Sequence, residues 1–146
     1  EVYIPYNSYK LADDSAKYSE IVMDQHLNQD FTRYELHRVW KVEATLKEGS
    51  RHIYGKRTFY IDEDSWQIAM VDHYDNRNQL WRASEGHAMQ FVNANTPWYV
   101  SETSYDLLAG RYVVRLTNEE RNPFSFDKKV KRKSFTPAAI RRMGKR

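Results

Sequence analysis

Between Arg33 and Thr117 apolar and polar residues alternate with a period of two, and short polar breaks interrupt the alternation. That rhythm constrains the fold more than any other feature. A period of two sends successive side chains to opposite faces of a strand, so the segment reads as a series of half-buried strands. Six are expected: Arg33–Lys47, Arg51–Asp62, Ser65–Asp75, Leu80–Asn93, Trp98–Asp106 and Arg111–Thr117. Breaks such as Glu48-Gly49-Ser50, Glu63-Asp64 and Asn76-Arg77-Asn78-Gln79 are too short for parallel crossovers and suit antiparallel hairpins. The expected fold is mainly β, an antiparallel meander followed by a short C-terminal helix. The 11 Tyr, 6 Phe and 4 Trp agree, since aromatic residues suit a pleated surface.

Register follows from matching apolar positions, because a slip of one residue turns every side chain to the other face. A four-residue loop at Lys47–Ser50 sets Ala44 opposite Ile53, Trp40 opposite Arg57 and Leu36 opposite Ile61. Loops at Asp62–Ser65 and Asn76–Gln79 pair Phe59 with Ile68 and Tyr74 with Trp81. Farther on, Phe91 meets Tyr99 and Tyr105 meets Tyr112. One face then becomes a continuous apolar surface, and Lys41, Glu43, Lys56, Thr58, Gln67 and His73 make the other face wet.

This register sets charges inside the apolar face. One row reads Trp40, Arg57, Met70, Glu85, Tyr105, Tyr112, with Arg38, Asp72 and His87 beside it. Such groups either close an ion network or form the polar handle of an apolar pocket. The same residues could do acid–base work, but no serine has nucleophile-elbow context and no glycine-rich phosphate loop is present, so no enzyme is expected. No histidine pair has zinc-helix spacing, cysteine is absent, and no cofactor is expected.

The remaining chain divides simply. Residues 1–32 form an irregular N-terminal segment in which only Val2, Ile4 and Tyr6 alternate. Residues 33–117 form the meander, and residues 118–146 a basic tail with Phe124 and Phe126 as anchors. At 146 residues all three belong to one domain. Ten Lys or Arg against three Asp or Glu lie between Glu119 and Arg146, so the basic charge belongs to the tail. The run Lys128, Lys129, Lys131, Arg132, Lys133 lacks an RNA-reading aromatic motif and reads as a solvated tail or a strap across the sheet; no nucleic acid is expected. Thr136-Pro137 opens a helix with Thr as N-cap. The chain begins at Glu1 and is read as part of a longer protein.

The stretches YELHRVWKVEATL and YIDEDSW, with EVYIPYNSYKL before them and YDLLAGRY and FTPAAIRRMGKR after, resemble the C-terminal part of a bacterial family known as domain of unknown function 1329. The family is described as similar to outer-membrane lipoprotein-sorting proteins. The resemblance implies a periplasmic location and a curved half-barrel like that of the LolA and LolB carriers, built around an apolar cavity. It supplies no catalytic residues. With it, the expected role is a carrier or chaperone-like module for a lipid, lipoprotein acyl chain or other hydrophobic ligand, at most peripheral to a membrane. Trp40, Phe59, Ile68, Met70, Trp81, Met89 and Phe91 would line the concave face, and Arg57 and Glu85 would orient a head group. The alternative is a protein-interaction module of an envelope transport complex. Missing sequence, a second copy of the chain or a ligand would cover so wide an apolar face.

Overall fold

The computed structural model describes residues 1–116, 126 and 129–144. Its centre is a six-stranded antiparallel sheet in sequence order: β3 (Val39–Thr45), β4 (Lys56–Asp62), β5 (Ile68–Tyr74), β6 (Leu80–Phe91), β7 (Thr96–Asp106) and β8 (Arg111–Leu116). The first and last strands do not pair with each other, so the meander stays unclosed, as expected. A separate two-stranded ladder joins β1 (Val2–Pro5) to β2 (Tyr34–His37). The strand expected over Arg33–Lys47 is therefore broken at Arg38, and its first half leaves the main sheet.

Local chemistry explains the turns. Asp75 accepts from the Arg77 and Gln79 amides at 2.8 and 2.9 Å and closes the β5–β6 hairpin. Asp106 accepts from the Ala109 amide at 3.0 Å, and Gly110 takes φ +60°, a value glycine adopts without steric cost. The β3–β4 connection differs from expectation. The Leu46 amide donates to the Gly55 carbonyl, so the loop runs from Leu46 to Gly55 and Ile53 lies within it, exposed. Trp40 consequently pairs with Ile61, and Ala44 pairs with Arg57.

Two faces result. On one, the N-terminal segment supplies the lid: Ile4, Leu11, Ile21 and Leu27 are fully buried, and Leu11, Ile21 and Leu27 form a core with Val100, Met89, Phe91, Tyr112 and Val114. The segment contains β1, a 3-10 turn at Tyr9–Ala12 and α1 (Tyr18–Ile21). The burial rhythm of β7 records the cover. Ser101 and Thr103 are buried, whereas Glu102 and Ser104 between and beside them are exposed. The opposite face of the sheet is the open one.

Twelve of the tail's 29 residues lie outside the described residues, Phe124 and Lys128 among them. Phe126 packs on Phe91 with ring centroids 5.0 Å apart. The helix expected after Thr136 is α2 (Pro137–Met143), and its N-cap is made as expected, the Ala139 amide donating to Thr136 Oγ1 at 3.3 Å. Among the described residues no helix is long and apolar enough to cross a membrane.

Candidate functional site

Strand phase decides which side chains meet, and β-bulges reset it at three places. Beside the β4–β5 turn, Ile61 and Ile68 pair on the open face. The register then shifts between Tyr60 and Ile61, so Tyr60 pairs with Met70 and Phe59 with Val71. One extra residue in a strand turns all that follows to the other side. Met70 therefore lies on the covered face, and Glu85 follows it as the cross-strand partner. A second shift between His73 and Tyr74 sets Tyr74 opposite Leu80 rather than Trp81. A third, between His87 and Ala88, pairs Met89 with Trp98 and Phe91 with Thr96 rather than Tyr99. Two expected pairs hold: Met70 with Glu85, and Tyr105 with Tyr112, stacked at 5.6 Å.

The five charges expected to meet on one surface are thus separated. Arg38 ion-pairs with Glu63 at 2.6 Å by the β4–β5 turn. Asp72 accepts from the Tyr60 hydroxyl at 2.9 Å on the covered face. Glu85 and His87 lie under the N-terminal segment, and Arg57 is on the open face.

Under the lid, Ser8 Oγ lies 3.5 Å from His87 Nδ1, His87 Nε2 lies 3.5 Å from Glu85, and Tyr34 donates to Glu85 at 3.1 Å. Burial first, then the Glu85 charge, pushes both tyrosines here up, Tyr105 to about 12, so both stay protonated as donors. The order Ser–His–Glu has the sequence of a hydrolase triad. Ser8 and His87 are both 0 % exposed, however, and Ser8 Oγ donates to the Arg33 carbonyl. A nucleophile sealed in this way meets no substrate, and the cluster works as a polar latch for the lid.

His37, Asp62 and Asp64 also approach one another, with candidate ligand atoms within 4.8 Å. Asp62 is already satisfied: it accepts from His37 at 2.8 Å and from the Ser65 amide and hydroxyl. This cluster fastens β2 to the β4–β5 turn.

The open face is of another kind. Trp40, Val42, Phe59, Ile61, Ile68 and Val71 give β3 to β5 an apolar surface, with Trp40 and Trp66 stacked at 6.5 Å. Trp40 is 56 % exposed and Ile68 42 %. Toward β8 the surface becomes polar. Successive pairings place Arg57, His73, Arg82, Asp106 and Arg111 in one cross-strand row. Tyr54, from the β3–β4 connection, packs at a tilt on His73 with ring centroids 4.6 Å apart and accepts from Arg82 at 2.9 Å. Trp81 donates to Asp106 at 3.2 Å and meets Tyr54 edge-on at 5.8 Å, which brings its ring to the same end. Burial, then the charges of Arg57 and Arg82, lowers the His73 pKa, so its ring is neutral near pH 7.

Tyr54, His73, Arg82, Asp106 and Arg111 line a hollow of about 490 Å³. It shares Ser84 and Ser104 with a second hollow of about 360 Å³ beside Ile68, Val71 and Tyr99. Gly86 opens this floor: a Cβ there would stand 2.5 Å from the Tyr99 ring. Small residues thus carve a groove with a cationic end and an end bordering the apolar strands.

A family described as "Protein of unknown function (DUF1329)" matches residues 1–141. The chain belongs to the DUF1329 family. Over its full length it is 58 % identical to an uncharacterized protein of Pseudomonas aeruginosa, of which it spans 32 % of the length. A crystal structure of a DUF1329 family protein from Desulfovibrio piger aligns with 70 % of this chain and 40 % of its own, at 15 % identity and TM-score 0.46. A domain described as that of an outer membrane lipoprotein-sorting protein, from Vibrio parahaemolyticus, aligns with 81 % of this chain and 57 % of its own, at 12 % identity and TM-score 0.42.

Of the nine residues expected to line one cavity, this DUF1329 chain brings Trp40, Arg57, Phe59, Ile68 and Trp81 to the open face. Met70, Glu85, Met89 and Phe91 go to the covered side, where Met89 and Phe91 pack on the lid core. The expected head-group pair of Arg57 with Glu85 is therefore split by the sheet. Sequence reasoning missed Tyr54, Arg82, Asp106 and Arg111. Their one sequence signal is the Asp106–Gly110 turn, which fixes Asp106 and Arg111 as partners across β7 and β8.

Proposed function

We propose that this chain is a carrier or chaperone-like module that holds an apolar molecule, such as a lipid or a lipoprotein acyl chain, against the open face of its sheet. The observation that carries the reading is the contrast between the two faces. The N-terminal segment covers one over β5 to β8, while Trp40, Val42 and Ile68 on the other stay in water. Apolar area left in water costs about 25 cal/mol per Å², which a seated chain would recover before ordering costs. Single exposed apolar residues are ordinary on protein surfaces, but a contiguous set beside a groove marks a binding surface. Work in the periplasm is part of the proposal and rests on the family resemblance.

The test is direct. Full-length protein purified from a bacterial envelope without detergent is extracted with organic solvent, and the extract is analysed by mass spectrometry. Stoichiometric apolar material is the expected result; its repeated absence overturns the reading.

The outer edges of β3 and β8 have no partner strand among the described residues, which favours a second reading, an interaction module of an envelope transport complex. Recovery of a stable protein partner, with no lipid present, would select it.

A further inference from the structure

The cross-strand row on the open face carries more positive charge than it neutralises. Arg82 meets Asp106 at 3.1 Å. Arg57 and Arg111 meet no carboxylate at ion-pair distance among the described residues. Arg57 instead touches His52 Nε2 at 3.3 Å and lies over the Tyr54 ring at 5.1 Å. The row thus sets three guanidiniums against one carboxylate. His73 adds no charge near neutral pH, and its buried Nδ1 has no hydrogen-bond partner among the described residues. Guanidinium forks match phosphate and carboxylate oxygens, and they bind more strongly where water is partly excluded. The larger hollow, between Arg82 and Arg111, is where such an anion fits, and it opens past Ser84 and Ser104 toward Ile68 and Val71.

We infer that the ligand of the open face is an anionic amphiphile, its phosphate or carboxylate seated between Arg82 and Arg111 beside Tyr54 and its apolar chain directed toward Ile68 and Val71. This inference rests on the carrier reading and names the chemistry of its ligand. Arg57, beyond Tyr54 in the row, adds attraction at longer range.

Calorimetric titration tests it with short-chain lipids below their micelle concentration. The purified protein is titrated with dihexanoyl phosphatidic acid, dihexanoyl phosphatidylcholine and inorganic phosphate. The titrations are repeated with Arg111→Gln, at an exposed position that has no ion pair among the described residues, and with Arg57→Gln. Phosphatidic acid should bind at least about tenfold tighter than the choline lipid, the scale of one lost charge-assisted contact. Arg111→Gln should cost phosphatidic acid about tenfold and weaken the choline lipid, whose single phosphodiester charge is offset by its own ammonium, by less, while Arg57→Gln should cost phosphatidic acid less than Arg111→Gln does. Arg77→Gln, on the exposed β5–β6 turn, should change nothing. Equal affinity for the two lipids, or an unchanged preference in Arg111→Gln, overturns the inference and leaves the carrier reading standing. Inorganic phosphate binding as tightly as phosphatidic acid would keep the anion site but overturn both the amphiphile and the carrier.

Discussion

At the scale of single residues, the molecule is held by side chains whose importance the sequence hides. Leu11, Ile21 and Leu27 sit in a polar stretch with little periodicity, yet each is 0 % exposed. Leu27→Ala should cost about 2–5 kcal/mol in chemical denaturation, because it removes transfer energy and leaves a cavity under the lid. Leu36→Ala, at a position 53 % exposed, should cost far less. The His37–Asp62 pair makes a prediction in pH. Burial alone would lower the His37 pKa, but the hydrogen bond and charge of Asp62, then Glu35, raise it above 6.5. Burial would raise Asp62, but Ser65 and His37 hold it below 3.8. A raised imidazole stabilises the fold fully below pH 6.5 and loses that contribution as pH rises through its higher folded value. A depressed carboxyl contributes above pH 3.8 and loses it as pH falls through its lower folded value. The gap in Tm between the protein and His37→Gln should therefore peak between about pH 4 and 6.5 and narrow on both sides. A gap independent of pH would contradict the pairing.

At the scale of elements, hairpins are set by turns and their phase by bulges. Gly86 in β6 lets the Tyr99 ring cross over it, so that the Tyr99 hydroxyl donates to the Ile68 carbonyl at 2.7 Å and ties β7 to β5. Gly86→Ala should destabilise by about 1–3 kcal/mol, since the added carbon displaces that ring. Tyr99→Phe should lose only the hydrogen bond, about 1 kcal/mol. Equilibrium unfolding of the two variants separates steric displacement from bond loss. Here the limits of the sequence become physical. Antiparallel order, the Asp75 and Asp106 turns and the Thr136 cap were all legible, because each depends on neighbours in the chain. The bulges at Tyr60, His73 and His87 were not, because one unpaired residue leaves the alternation on each side intact and only reverses its sense. Met70 and Glu85 kept their pairing with each other and still changed face together. The β3–β4 loop was misjudged for a related reason. Moving the pairing of Trp40 from Arg57 to Ile61 preserves which residues share a face, so hydrophobic matching cannot choose between the two.

At the scale of the whole molecule, the fold is an asymmetric sheet. Its own first 33 residues close one side around a core and a polar latch. The other side presents apolar strands at one end and a cationic row at the other. The candidate site was legible in part: Trp40, Phe59, Ile68 and Trp81 do share a side, as strand alternation suggested. The polar end emerged only with coordinates, since Tyr54 comes from a loop and Arg82, Asp106 and Arg111 meet through three separate pairings. The central claim, that the open side holds the ligand, is tested most directly by photo-crosslinking. The protein is loaded with a lipid carrying a diazirine in its acyl chain, irradiated and digested, and the labelled peptides are mapped. Label on β3, β4 and β5 at Trp40, Phe59, Ile68 or Val71 is the expected result. Label confined to Met89, Phe91 and Val100, or none at all, would contradict it.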